Sequence, residues 1–266
     1  MRAKIPAKLY KYYGFTARTL TALKSRTVWF GKPSAFNDPF DCDVPLRFVP
    51  FSMSDVRRVI ADRSPDGWSA LRKDPGAVDE SGRATESLRA SLEASAQQLV
   101  REERGRYFDE LGVTCFSERP DILLMWSHYG NGHRGVCLEF DTSSELLQRL
   151  HRVQYVDNVP AINLRAMLLH DSSQVLAGLL TKAACWSYER EWRAIHKTAG
   201  TEYCYGVEAL TGVYLGAALS DVERDVVGQL LHGTPTKLYT MERSPASFAV
   251  QARNADYTPY VHPAAP

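Results

Sequence analysis

Residues 188–196 read Tyr188-Glu-Arg-Glu-Trp-Arg-Ala-Ile-His, with two glutamates one residue apart where an apolar stretch begins. The segment Glu191–His196 predicts a strand. If residues 189–193 are extended, Glu189, Glu191 and Arg193 share one face of that strand, and Arg190 and Trp192 share the other. Two carboxylates on one face repel each other unless a cation or a substrate separates them. The pair therefore predicts either acid–base chemistry or a solvated strand edge whose arginines neutralise both glutamates.

The pattern on either side of this segment mixes strands with helices without regular βαβ alternation, which predicts an α+β fold in one domain over 1–266. Residues 52–110 are richer in charge, serine and alanine, and their apolar residues fall at helical spacing, which predicts a helical insertion. The predicted strands are 8–13, 26–30, one from 112, 135–141, 152–156, 191–196, 212–219, 237–241 and 248–252. The predicted helices are 16–24, 53–62, 83–109, 121–129, 144–150, 163–184 and 220–231.

The composition is that of a globular protein with a sizeable core, because 44% of the 266 residues are hydrophobic and 24% are charged. The formal net charge of +1 excludes a global basic field as the basis of nucleic-acid or membrane binding. We expect no membrane-spanning segment. Five cysteines without CxxC spacing, and no apolar signal core, predict a cytoplasmic protein with reduced thiols.

Three further segments combine aromatic and polar residues. They are Leu9-Tyr-Lys-Tyr-Tyr, Phe36-Asn-Asp-Pro-Phe-Asp and Met125-Trp-Ser-His-Tyr-Gly-Asn-Gly-His. Each also has a purely structural interpretation, as a half-buried strand, a side-chain-closed turn and a core helix respectively. The spacing of His128 and His133 does not suit a helical metal site, and no cysteine cluster is present, so we expect no metal.

Taken in order, these segments resemble a widespread bacterial family catalogued as a domain of unknown function. The signatures are Phe36-Asn-Asp-Pro-Phe, Met125-Trp-Ser-His-Tyr-Gly and Tyr188-Glu-Arg-Glu-Trp-Arg. The resemblance covers nearly the whole chain apart from residues 52–110. It does not imply an activity.

The Glu-x-Glu followed by a strand, a loop, the strand Leu210-Thr-Gly-Val-Tyr-Leu-Gly, a helix and another strand is similar to the ADP-ribosyltransferase superfamily, particularly its DarT-type enzymes. This resemblance implies a split mixed sheet with flanking helices. It implies that Glu191 is the catalytic glutamate and that Glu189 orients the acceptor. The sequence lacks the His or Arg that the superfamily carries in its first strand, and it lacks a clear Ser-Thr-Ser strand.

The same resemblance implies NAD as co-substrate, released nicotinamide, and a macromolecular acceptor that is a nucleic-acid base or a protein side chain. It suggests a toxin or antiviral defence enzyme, which an inhibitory partner protein would restrain. The residues expected to contact NAD are Tyr10, Lys11, Tyr12, Phe30, Asn37, Asp38, Trp126, His128 and Tyr129.

Two other functions remain open from the residues alone. Asp38, Asp41, Glu139 and Asp141 suggest a metal-dependent nuclease, which needs acids converging on Mg²⁺. A non-catalytic module would instead stack single-stranded nucleic acid on aromatic side chains and hold its phosphates with basic ones. Its residues would be Tyr10, Tyr12, Trp29, Trp126, Lys11, Lys24 and Arg26.

Overall fold

A computed structural model describes residues 4–257 except 43–44, 64–65, 148–149, 169–170 and 172. The described residues form two compact units. The first comprises those within Met1–Gly31, Gly112–Val153 and Cys185–Pro266. The second comprises those within Lys32–Leu111 and Gln154–Ala184, and therefore includes the predicted insertion, residues 52–110.

The mixed α+β character predicted from the sequence is confirmed. The strands are β1 (Lys8–Gly14), β2 (Thr27–Phe30), β3 (Arg47–Val49), β4 (Gly112–Ser117), β5 (Gly135–Asp141), β6 (Leu150–Arg152), β7 (Gln154–Val156), β8 (Ala161–Asn163), β9 (Thr181–Ala183), β10 (Glu191–His196), β11 (Thr201–Cys204), β12 (Leu210–Leu215), β13 (Lys237–Arg243) and β14 (Val250–Asn254). The α-helices are α1 (Ala17–Ser25), α2 (Met53–Arg63), α3 (Gly67–Leu71), α4 (Glu86–Glu110), α5 (Leu123–His128), α6 (Leu164–Leu168), α7 (Ser173–Gly178) and α8 (Asp221–Leu231).

The first unit is built on an eight-stranded mixed sheet, in the order β14-β13-β12-β5-β1-β4-β10-β6. Neighbouring strands are antiparallel except β12 and β13, which are parallel and are connected through α8. A parallel pair needs such a crossover, because its strands run in the same direction and a hairpin cannot join them. Strands β2 and β11 form a separate antiparallel pair.

The two faces of this sheet differ in chemistry because successive side chains of a strand point to opposite sides. One face carries the larger apolar core, in which Leu9, Phe140 and Val213 are fully buried against residues of α1 and α8. The opposite face carries Tyr12, Cys137 and Tyr214, over which Met125 and Trp126 of α5 pack. The second face therefore mixes aromatic and polar groups, and the candidate site lies on it.

Local capping signals fix two helix starts where the sequence predicts them. The Thr16 side chain accepts a hydrogen bond from the Thr19 amide at the start of α1. Ser220 and Glu223 form a reciprocal capping box at the start of α8. Both motifs satisfy amides that have no partner within the first helical turn.

The second unit has its own helical cores and two parallel strand pairs, β3–β8 and β7–β9. One core joins Val59 of α2, Val100 of α4 and Leu164 of α6. The Lys182 ammonium lies 2.9 Å from the Asp41 carboxylate, and both side chains are 3% exposed. A buried charge requires such a partner.

The predictions from the sequence were wrong in several places. Residues 163–184, predicted as a long helix or a helix pair, form the short helices α6 and α7 followed by β9. Within 144–150 only Glu145–Leu147 is helical, as a 3-10 turn, and residues 148–149 lie outside the described ones. The short strands β3, β8 and β11 were not predicted, because three or four residues carry too little periodicity to identify a strand.

Within the described residues, no helix combines the length and the apolar character that crossing a membrane would require.

We predict that Phe140→Ala lowers the free energy of unfolding by about 3–5 kcal/mol, because it leaves a cavity in the core. Phe140 is fully buried between the rings of Phe116 and Tyr205. The matched control is Phe248→Ala, since Phe248 is fully exposed and its loss should change stability by no more than about 0.5 kcal/mol. Urea denaturation of both variants measures the difference, and equal losses would contradict the assignment of the core.

Candidate functional site

Four side chains lie opposite one another across four adjacent strands of the first unit. Glu139 on β5 pairs with Tyr10 on β1, Tyr10 pairs with Ser117 on β4, and Ser117 pairs with Glu191 on β10. Directly opposed residues of antiparallel strands point to the same face. We call these four residues the polar row. Glu191, the first residue of β10, lies about 10 Å from Tyr10, because β4 separates β10 from β1 and two strand spacings therefore lie between them.

Glu189 lies next to the polar row, but its backbone is not extended as the sequence predicts. It ends a 3-10 turn, Ala184–Glu189, and Arg190 then adopts a left-handed conformation with φ of 48°. The predicted extended geometry of residues 189–193 therefore holds only from Glu191 onward. A left-handed residue other than glycine costs roughly 1–2 kcal/mol. Neighbouring contacts must maintain such a conformation.

Glu189 is held at both its backbone and its side chain. The Ser117 hydroxyl donates to the Glu189 carbonyl at 2.7 Å. Tyr129 follows α5, and its hydroxyl donates to Glu189 Oε1 at 2.7 Å. The residue is only 2% exposed. Ser117 thus belongs to the polar row and also anchors the turn that carries the second carboxylate.

Glu191 is 4% exposed and forms a two-point ion pair with Arg193, the next residue on the same face of β10. Arg193 Nε lies 2.7 Å from Glu191 Oε1, and its terminal nitrogen lies 3.0 Å from Oε2. Arg193 is itself fully buried. The guanidinium therefore holds both oxygens of the carboxylate in place.

The Cys115 thiol lies beside this ion pair, because Cys115 is opposite Arg193 on β4. Burial raises the pKa of Cys115 well above its ordinary value, and the Glu191 carboxylate raises it further. Cys115 is therefore a neutral thiol near neutral pH, and not a thiolate nucleophile.

Three of the residues expected to bind a cofactor belong to the apolar cores instead. Trp126 is fully buried, with its indole nitrogen donating to the Pro120 carbonyl at 2.7 Å. Tyr12 packs edge-on against Trp126 and donates to the Arg119 carbonyl. Phe30 packs against Tyr203 in the larger core. The burial of Tyr12 and Trp126 also leaves them unable to stack on the bases of a nucleic-acid strand.

Lys11 lies on the other face of the sheet from Tyr10, because the two residues are adjacent in β1. Its ammonium donates to the Cys115 carbonyl at 2.9 Å and lies 5.4 Å from the centre of the Phe116 ring. Burial lowers the pKa of Lys11. Lys11 therefore does not join the polar row.

His128 is exposed at the end of α5 and contacts two aromatic residues of the turn that precedes Glu189. Its ring meets the rings of Trp186 and Tyr188 edge-on, with centroids 5.9 and 6.2 Å away. With Tyr129, these residues form a partly exposed aromatic group next to Glu189.

Asn37 and Asp38 belong to the second unit. Asp38 Oδ1 accepts from the Phe40 amide at 2.9 Å, which is the turn-closing role that the sequence left open.

The structure therefore brings together Glu189, Glu191, Tyr129 and Tyr10 in the first unit, with His128 at their side.

The acids of the nuclease hypothesis have separate roles. Asp38 and Asp41 belong to the second unit, and Asp141 caps the Ser143 amide. Glu139 accepts hydrogen bonds from Lys8, Thr211 and Tyr214. Among the described residues, no group of three or more His, Cys, Asp or Glu residues is arranged to hold a metal ion.

Burial alone would raise the pKa of Glu139, but its hydrogen bonds and the Lys8 charge outweigh burial and lower it below its ordinary value of 4.5. The folded protein therefore binds this proton more weakly than the unfolded chain does.

We predict that Glu139 contributes to stability fully above about pH 5, and that this contribution is lost as the pH falls through 4.5 and the lower folded pKa. The difference in unfolding free energy between the wild type and Glu139→Gln should shrink over this range. Urea denaturation between pH 3 and 7 measures it, and a difference independent of pH would contradict the lowered pKa.

We predict that Arg193→Met lowers the free energy of unfolding by about 3–5 kcal/mol, because it leaves the buried Glu191 carboxylate without its cation. The double variant Glu191→Leu, Arg193→Met removes both charges and should recover much of the loss. A single variant as stable as the wild type in urea denaturation would show that Glu191 does not depend on Arg193.

Sequence reasoning overlooked Ser117 as a site residue. The sequence predicts a strand from residue 112, but nothing in the sequence shows that β4 lies between β1 and β10. Arg193 was recognised only as a neutralising group. The signal for its role was its spacing of two residues from Glu191 on a strand, which places both on one face.

Residues 125–194 match the model of a family described as a protein of unknown function, DUF2971. The matched stretch begins within α5 and ends within β10, so it contains Tyr129, Glu139, Glu189, Glu191 and Arg193. No curated protein and no solved structure matches the chain. The site of the first unit therefore overlaps a stretch of sequence characteristic of the DUF2971 family.

Proposed function

We propose that the protein transfers ADP-ribose from NAD to a macromolecular acceptor and releases nicotinamide. The observation that carries this proposal is the polar row, in which Tyr10, Ser117 and Glu191 occupy adjacent strands in register. The ADP-ribosyltransferase resemblance assigns NAD binding to the first strand and catalysis to the glutamate that starts a later strand. Tyr10 lies in the first strand and Glu191 starts β10, and their positions on one face of one sheet support the proposal.

Glu191 provides the group that this reaction needs most. When the bond between C1′ and the nicotinamide nitrogen breaks, positive charge develops on the ribosyl carbon. A fixed carboxylate that accepts a hydrogen bond from a ribose hydroxyl stabilises that charge. The Arg193 contact holds both oxygens of Glu191 in place, so the carboxylate is oriented before the substrate binds.

Glu189 serves the acceptor in this proposal. The nicotinamide leaves with the electrons of the broken bond, and the acceptor nitrogen or oxygen forms the new bond to C1′. The proton that the acceptor loses passes to Glu189. The Tyr129 hydroxyl donates to Oε1 of this carboxylate and so orients the group that accepts the proton.

The candidate site combines acidic and aromatic groups. Two acidic residues, Glu189 and Glu191, are buried there. The nicotinamide ring of NAD is a planar cation, which both a carboxylate and an aromatic surface attract. The group of His128, Trp186, Tyr188 and Tyr129 supplies that surface beside Glu189.

Both carboxylates are nearly closed to solvent, whereas His128 is exposed and Tyr129 is partly exposed. We therefore place substrate entry along these two residues, at the end of α5.

We predict that Glu191→Gln reduces nicotinamide release at least about a hundredfold, the size of effect expected when one stabiliser of transition-state charge is removed. Glu189→Gln should retain slow NAD hydrolysis while losing transfer to the acceptor, because water can replace the acceptor. Chromatographic detection of nicotinamide from NAD measures its release, and label incorporated from adenine-labelled NAD into added DNA, RNA or protein measures transfer.

The matched control is Glu202→Gln, which removes an exposed carboxylate of β11 in the same unit and should leave the rate unchanged. Circular dichroism establishes that each variant is folded. A folded Glu191→Gln variant with wild-type nicotinamide release would refute the proposed function.

A further inference from the structure

We propose that Glu139 is a positioning residue, which fixes the position of Tyr10. Tyr10 in turn forms the side of the candidate site opposite Glu191. This inference rests on the proposed function. Glu139 is the member of the polar row most distant from Glu191, and it lies directly opposite Tyr10 on the neighbouring strand.

Three donors, one from β1 and two from β12, converge on the Glu139 carboxylate. The Lys8 ammonium lies 2.6 Å from Oε1, and the Thr211 hydroxyl lies 2.7 Å from the same oxygen. The Tyr214 hydroxyl donates to Oε2 at 2.7 Å. Glu139 is 2% exposed, so the carboxylate depends on these groups in place of water.

The backbone of β12 is shaped to accommodate this carboxylate. Leu210 pairs with Phe140 and Gly212 pairs with Glu139, so Thr211 is an extra residue at a register shift. This irregularity brings the Thr211 hydroxyl to Oε1. A Cβ atom on Gly212 would lie 3.4 Å from both Cβ and Oε1 of Glu139 and would crowd the Tyr239 ring at 3.1 Å, so the glycine leaves room for both side chains.

Stability alone does not explain such an arrangement. Removing a carboxylate from water costs several kcal/mol, and a well-packed apolar residue in its place is often at least as stable. The opposite face of the same strand carries Leu138 and Phe140. An arrangement of this kind therefore points to a requirement for a fixed polar group at this position.

Tyr10 is the residue of the polar row whose position this arrangement fixes. The Tyr214 ring, held at its hydroxyl by Glu139 and stacked on Tyr239 at 4.5 Å, meets the Tyr10 ring edge-on with centroids 5.9 Å apart. Burial raises the pKa of Tyr10, and the nearby Glu139 carboxylate raises it further, so its hydroxyl remains protonated. Glu139 thus restrains Tyr10 through the Tyr214 ring.

The test compares Glu139→Gln and Tyr214→Phe with Val213→Ala. Val213 is buried on the other face of β12, so its truncation loosens the same sheet without touching Glu139. One measurement is the NMR resonance of the Tyr10 ζ-carbon in the ligand-free protein, assigned with Tyr10→Phe. The other is a kinetic assay of nicotinamide release, which determines KM for NAD and kcat separately.

We expect Glu139→Gln and Tyr214→Phe to shift the Tyr10 resonance and to raise KM roughly three- to tenfold, the effect of losing about one hydrogen bond. The kcat should remain within about twofold, because the lost restraint affects binding of substrate and transition state alike. In a double variant with Tyr10→Phe, the effects on KM should be less than additive.

An unmoved Tyr10 resonance in Glu139→Gln would overturn the inference, as would an equal rise of KM in Val213→Ala. If the wild type releases no nicotinamide, the proposed function fails on its own. The Tyr10 resonance then still decides whether Glu139 fixes Tyr10.

Discussion

The ion pair between Glu191 and Arg193 is the interaction on which the candidate site depends. Both side chains are almost fully buried, so neither charge is stabilised by water, and each needs the other in the observed geometry. The two residues are separated by one residue of β10 and thus lie on one face of the sheet. The strand must therefore pair with β4 in the observed register, since a shift by one residue would turn both charges into the apolar core.

The same face of the sheet holds a second buried carboxylate, which is compensated in a different way. Glu139 uses a lysine that is half exposed and two hydroxyl groups, whereas Glu191 uses a fully buried guanidinium. Tyr10 and Ser117 lie between the two carboxylates in the polar row. The apolar core on the other face offsets the free-energy cost of burying these carboxylates, because its burial stabilises the sheet.

Much of the fold could be predicted because its signals are local. The caps at Thr16 and Ser220, and the strands at Gly135–Asp141 and Glu191–His196, are visible in a few consecutive residues. The geometry at Glu189 was not visible in this way. Its deviation arises from the left-handed Arg190, and the Ser117 hydroxyl that anchors this turn comes from a strand more than seventy residues earlier in the chain.

The sequence by itself determined the mixed α+β character, the helix starts and the proximity of two glutamates, because these depend on residue type and short spacing. Only the tertiary structure decided which side chains accompany them. It buried Trp126 and Tyr12, turned Lys11 to the other face, and brought Tyr10 and Ser117 into one row with Glu191. Strand order and register made these choices, and both depend on contacts between distant parts of the chain that no local pattern records.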